Sequence, residues 1–182
     1  MEERNVMMRG HVVKFLCTII FATLMASCAG SRVSSIPVSS KPSAPVKVIA
    51  LDPGGGLLAD AVGIELANRG FTVLDPASTS RLMVRLNIDE IEVNTPIGLE
   101  KLKGKGVDAY LTVRTAAGRD GKTQSASVRV NSTDTKKIIA GLTWENGWGG
   151  RSGSIADRAM HKGLPEAASE IVDNLVQSIK PE

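Results

Sequence analysis

Aromatic side chains are almost missing from this chain: three Phe, one Tyr and two Trp stand among 182 residues. With so few rings there is little to stack on bases. The 22 basic and 19 acidic residues leave a formal net charge of only +3 and form no dense block. A nucleic-acid interface, read from a basic stripe with interleaved aromatics, is therefore not expected. Histidine is as scarce. His11 lies near the N-terminus and His161 stands alone in the C-terminal region, where it reads as a surface residue. A zinc site with four protein ligands lacks the residues it needs. No Ser sits in a G-x-S-x-G elbow with a His to activate it. Asp89, Glu90 and Glu92 cluster in "IDEIEV" but lack the D-x-[DN]-x-[DN]-G order of a calcium loop, and read as a solvated acidic turn. The expectation is a protein that is not an enzyme and holds no metal and no cofactor.

The shortage of cysteine is informative in another way. Only Cys17 and Cys28 occur, both near the N-terminus. "MEERNVMMRGHVVK" carries Arg4, Arg9 and Lys14, and the uncharged run "FLCTIIFATLM" follows. That run falls short of the roughly 20 apolar residues that span a bilayer. A basic region followed by a short apolar core is the layout of a secretory signal peptide. The run ends in "LMASCAG", where small residues Ala26 and Ser27 directly precede Cys28. This ending resembles the lipobox of bacterial lipoproteins, with Met25 standing where that family usually has Leu. The resemblance implies cleavage before Cys28 and lipidation of its thiol. Cys17 then leaves with the signal, so no disulfide is available to the mature chain. Ala29, where an Asp would resemble an inner-membrane retention signal, favours the outer membrane. The expected organisation is a signal peptide over residues 1–27, a lipidated Cys28 with a Ser/Pro-rich tether to residue 45, and a periplasmic domain over 46–182. A short edge strand in "RVSSIPV" is the other reading of part of that tether.

From Val46 onward the pattern is α/β. "VKVIALD" is a strand by its β-branched density, "GGG" turns the chain, and "LLADAVGIELANRG" is a helix closed by Gly70. "FTVLD" is a second strand. A short helix in "PASTSRLMVRLN", capped by Ser78 or Thr79, and another in "PIGLEKLK" follow. "VDAYLTVRTAAG", "TQSASVRVNS" and "KKIIAGLTWENG" form an antiparallel meander, its first turn marked by Asp120-Gly121. Ala126, Val128 and Val130 share one face, Ser127 and Arg129 the other. Trp144 belongs to the core. A helical stretch from about Ile155, with Pro165 kinking it or opening a second helix, carries the apolar stripe Ala168, Ile171, Val172, Leu175 and Ile179. The expected fold is a single α/β (α+β) domain with a mixed sheet of about five strands and a long C-terminal helix packed on it.

The turn Gly54–Gly56 is the one place where a phosphate-cradling loop comes into question. It lacks the Lys and hydroxyl of a Walker loop. Gly54, Gly56 and Ala59 fit the dinucleotide pattern loosely, and Asp75 lies about where a ribose-binding acid is expected. A nucleotide- or small-ligand-binding protein is thus the alternative reading. In "WENGWGGRSGS", Trp148 and Arg151 sit in a glycine-rich loop, residue types enriched where partners anchor.

Taken together, "VKVIALD…LLADAVGIELANRGFTVLD", "LKGKGVDAYLTVRT" and the strand pair ending at Trp144 resemble the CsgG, FlgO and LpoB-like envelope lipoproteins over roughly residues 46–180. The resemblance implies a domain akin to the N-terminal domain of TolB, on the periplasmic side of the outer membrane, that is not catalytic. It further implies an accessory or assembly role toward another envelope component, which is an envelope protein or a second copy of this one. The long hairpins from which CsgG builds a barrel have no counterpart here, so no pore is expected.

Overall fold

The computed structural model describes residues 30–38, 42–118, 121–147 and 154–179. Its framework is one six-stranded mixed sheet. In chain order the elements are β1 (Arg32–Ser35), β2 (Val48–Leu51), a 3-10 turn (Pro53–Gly55), α1 (Gly56–Asn68), β3 (Thr72–Leu74), α2 (Pro76–Leu86), a second 3-10 turn (Glu92–Asn94), α3 (Pro96–Lys103), β4 (Ala109–Ala117), β5 (Thr123–Ser132), β6 (Ile138–Glu145), α4 (Ile155–Met160) and α5 (Leu164–Ile179). The strand order is β1-β6-β5-β4-β2-β3. β2 lies parallel to both β3 and β4, and β4, β5, β6 and β1 continue as antiparallel neighbours.

The two faces are covered unequally. α1 and α5 lie on one face, where Leu58, Val62 and Leu66 of α1 and Ala168, Ile171, Val172 and Leu175 of α5 join Ile49, Leu111, Val128, Leu142 and Trp144 in the larger core. Every residue of the expected C-terminal stripe is buried. α2 and α3 lie on the other face over the parallel strands, with Leu82, Met83, Leu99 and Leu102 packed around Ala50 and Tyr110. The alternation of "SASVRV" is as the period of two requires: Ala126, Val128 and Val130 are buried and Arg129 is exposed.

The expected β-α-β opening, antiparallel meander and long C-terminal helix are all present, with two differences in detail. First, the sheet has six strands rather than about five, because Arg32–Ser35, assigned above to the tether, pairs antiparallel with β6. Its signal is hard to see in sequence, since Val33 is the only apolar residue of "RVSS". Val33 packs against the larger core and lies opposite Trp144 in the ladder, which covers an otherwise open strand. Second, α2 begins one residue after Asp75, not at Ser78 or Thr79. Pro76 occupies the first helical position, where its missing N–H costs nothing, and Asp75 Oδ1 accepts from Ser78 N at 2.7 Å. Pro165 resolves the C-terminal ambiguity: it sits in the first turn of α5, separate from α4.

Candidate functional site

The chain's glycine turn lies at the C-terminal end of β2. From there α1 crosses one face toward β3 and α2–α3 cross the other toward β4, so this is the switch point where open α/β sheets commonly bind ligands. Here the position is already filled. Asp52, only 3% exposed, accepts from Gly54 N at 3.0 Å and so caps the 3-10 turn that leads into α1. Arg114 of β4 pairs with its other carboxylate oxygen. Burial first, and then the Asp52 charge, push the Tyr110 phenol well above its ordinary range. A phosphate would meet a buried carboxylate of its own sign. The glycines have packing reasons as well: Gly56 has a φ of +66°, and a Cβ on Gly55 would run into the Cβ of Ala59. Asp75, the candidate ribose acid, is occupied as the cap of α2, and the hydrogen bonds from Ser78 hold its carboxyl below the usual range.

A second feature lies at the same end of the molecule, on the face covered by α1 and α5. A groove of about 530 Å³, open to solvent, runs between the start of α1, the β4–β5 hairpin and the start of α5. Leu57, Leu58, Leu164, Ala167 and Trp144 give it apolar walls, and Thr115, Lys122, Thr123 and Lys162 are its polar lining. Leu57 is 73% exposed, so its apolar side chain faces solvent beside the groove. One carboxylate organises the groove's edge. Glu170 accepts from Trp144 Nε1 at 2.9 Å, from Ser31 Oγ at 2.7 and 2.9 Å, and from Lys162 Nζ. Burial pushes the Glu170 carboxyl up, but the hydrogen bonds from Lys162, Ser31 and Trp144 outweigh it and hold it below the ordinary range. Asn146, just after β6, fixes the neighbouring linker by exchanging two hydrogen bonds with the Lys162 backbone, at 2.8 and 3.1 Å.

Three of the sequence-predicted site residues, Cys28, Trp148 and Arg151, lie outside the described residues. The last described residue before Trp148 is the buried Gly147. His161 departs from the surface reading. Its side chain is 8% exposed at the C-terminal end of α4, with Nδ1 3.5 Å from the similarly buried Asp157. Among the described residues no group of three or more His, Cys, Asp or Glu could hold a metal ion. The acidic turn at residues 89–92 is a local backbone device: Asp89 Oδ1 accepts from Ile91 N and Glu92 N at 2.8 and 2.6 Å. Sequence reasoning missed Glu170, Lys162, Ser31, Asn146 and the role of Asp52. Only Glu170 carried a usable signal, as a charged residue flanked on its helix by Ala167, Ala168, Ile171 and Val172.

No protein-family model matches this sequence, and no curated protein matches it. Among solved structures, the chain is similar to the PelC dodecamer from Paraburkholderia phytofirmans, at 15% identity over 84% of this chain and 99% of that one, with a TM-score of 0.47. It is similar to TolB from Acinetobacter baumannii, at 13% identity over 82% of this chain and 30% of that one, also with a TM-score of 0.47. It is similar to lipoprotein GNA1162 from Neisseria meningitidis, at 18% identity over 73% of this chain and 99% of that one, with a TM-score of 0.45. At this identity and overlap the likenesses assign neither a family nor a function.

Proposed function

We propose that this protein is a lipid-anchored component of the bacterial envelope, held through Cys28 at the periplasmic face of the outer membrane, and that it serves another envelope component as a non-enzymatic accessory or assembly factor. The observation that carries this reading is the order of residues 1–28: three basic residues, an uncharged apolar run, then Ala26-Ser27-Cys28. A strand of the domain follows only four residues after Cys28. Trp148 and Arg151 are the proposed partner contacts, since Trp and Arg are the residue types enriched where partners anchor and both stand in the glycine-rich segment that follows Gly147 in the sequence. Against the nucleotide-binding alternative stands the buried Asp52 carboxylate at the glycine turn, where a phosphate would meet a charge of its own sign.

The test is lipid labelling with fractionation. Cys28→Ser should abolish incorporation of labelled fatty acid and move the protein from the membrane to the soluble periplasmic fraction. Multiple acyl chains, at about 0.8 kcal/mol per buried methylene, give the parent protein a firm anchor. Unchanged membrane fractionation of the variant would overturn the proposal.

A further inference from the structure

We propose that the groove between α1 and α5 is an acyl-chain site, and that its occupant is one of the fatty-acyl chains carried on this protein's own Cys28. The proposal rests on the lipoprotein reading above and adds a destination for the lipid. The first argument is covalent reach. Ser31 is fixed by its two hydrogen bonds to Glu170, and Glu170 in turn holds Trp144 and Lys162, both of which border the groove. Cys28 precedes Ser31 by three residues, which span at most about 11 Å. The lipid-bearing residue is therefore confined to the neighbourhood of the groove's edge, whatever path the intervening residues take. A freely swinging tether would impose no such limit.

The second argument is chemical match. Hydrocarbon in water is unfavourable by about 0.8 kcal/mol per methylene, and the groove presents Leu57, Leu58, Leu164 and Ala167 as walls for it. Its volume of about 530 Å³ lies within the roughly 300–1,000 Å³ common for small-molecule sites. Leu57 stays 73% exposed although it stands on the groove's lip, so an apolar occupant would cover a side chain that the domain itself leaves in solvent. Of the polar lining residues Thr115, Lys122, Thr123 and Lys162, Lys162 is paired to Glu170, which also holds Ser31. That is where the polar linkage of an acyl chain entering from Cys28 would lie.

The experiment feeds cells a photoreactive palmitate, irradiates the envelope and maps the crosslinked peptides of the full chain by mass spectrometry. Intramolecular crosslinks to the peptides carrying Leu57, Leu164 or Ala167 are expected. Crosslinks to phospholipid alone would place the chain in the bilayer, and crosslinks to a second copy would place it in a neighbour; either overturns the proposal. No photolipid on Cys28 would overturn the lipoprotein reading instead, which separates the two failures. A second arm tests the groove itself. In Cys28→Ala combined with Trp148→Phe, Trp144 is the only indole, and dibromostearate should quench its fluorescence. Leu57→Glu, on an exposed side chain that folding does not need, should raise the quenching midpoint about tenfold, the equivalent of losing roughly one leucine contact. Absence of quenching in the parent of that pair would overturn the site.

Discussion

At the scale of single residues, Glu170 carries more of the structure than its place on a surface-flanking turn of α5 suggests. It ties together three distant parts of the chain: Ser31 before β1, Trp144 in β6 and Lys162 before α5. The Trp144 indole is fully buried, and its N–H is paired with the Glu170 carboxylate. A buried donor left unpaired costs about 1–3 kcal/mol. Glu170→Ala should lower the urea midpoint accordingly, with an unchanged slope. Glu170→Gln retains an acceptor for Trp144 and should cost less. The pH dependence has a fixed sign. The folded carboxyl lies below the ordinary glutamate value of 4.5, so its contribution is complete above that pH and is lost as pH falls through the folded value. The parent and Glu170→Gln should therefore differ at pH 7 and converge in acid; a gap that persists there would count against the carboxylate's role. Little of this network was legible in the sequence. Trp144 could be placed in the core by strand alternation, but which carboxylate reaches its N–H depends on how α5 crosses β6, and no local pattern encodes that.

At the scale of elements, the helices on the parallel half of the sheet are defined by short polar signals. Asp75-Pro76 and Thr95-Pro96 repeat one device, in which a capping side chain accepts from the helix's third N–H and proline fills the first position. The element types were readable because apolar periodicity and turn residues agree along most of the chain. Their starting residues were less so, since Asp75, Ser78 and Thr79 are all competent caps and only the position of Pro76 decides among them. Close packing between elements is a further layer that sequence hides. Gly98 lies within α3, and a Cβ there would collide with the Glu92 carbonyl oxygen and lie 2.7 Å from Val93 Cα. Both are backbone atoms, so α3 would have to lift from the 3-10 turn beneath it. Gly98→Ala should destabilise by about 1–3 kcal/mol. Gly104→Ala is the control: its Cβ would come no closer than 3.4 Å to the Lys101 carbonyl, and its backbone is already right-handed. Denaturant melts should separate the two, and equal stabilities would show that α3 can shift freely.

At the scale of the whole molecule, the parallel half of the sheet is covered by helices on both faces and the antiparallel half by α5 on one. That half ends in β1, and β1 bears on where the domain would stand relative to the lipid anchor proposed at Cys28. If residues 29–45 were only a tether, a fragment beginning at Val46 would melt like one beginning at Gly30. The structure instead gives β1 a four-residue ladder on β6, the half-buried Val33, and the Ser31–Glu170 hydrogen bonds. Removing residues 30–45 should strip all three. It should also leave β6, with its buried run Ile139, Ala140 and Leu142, as an unprotected edge, the kind of strand that templates pairing with another chain. We expect the shorter fragment to melt lower by roughly 5 °C, since each kcal/mol moves the midpoint of a domain this size by about 2–4 °C. Light scattering on cooling should show association that the longer fragment does not. Identical melts and scattering would return these residues to the role of a flexible spacer, and the proposed reach from Cys28 to the groove would fall with them.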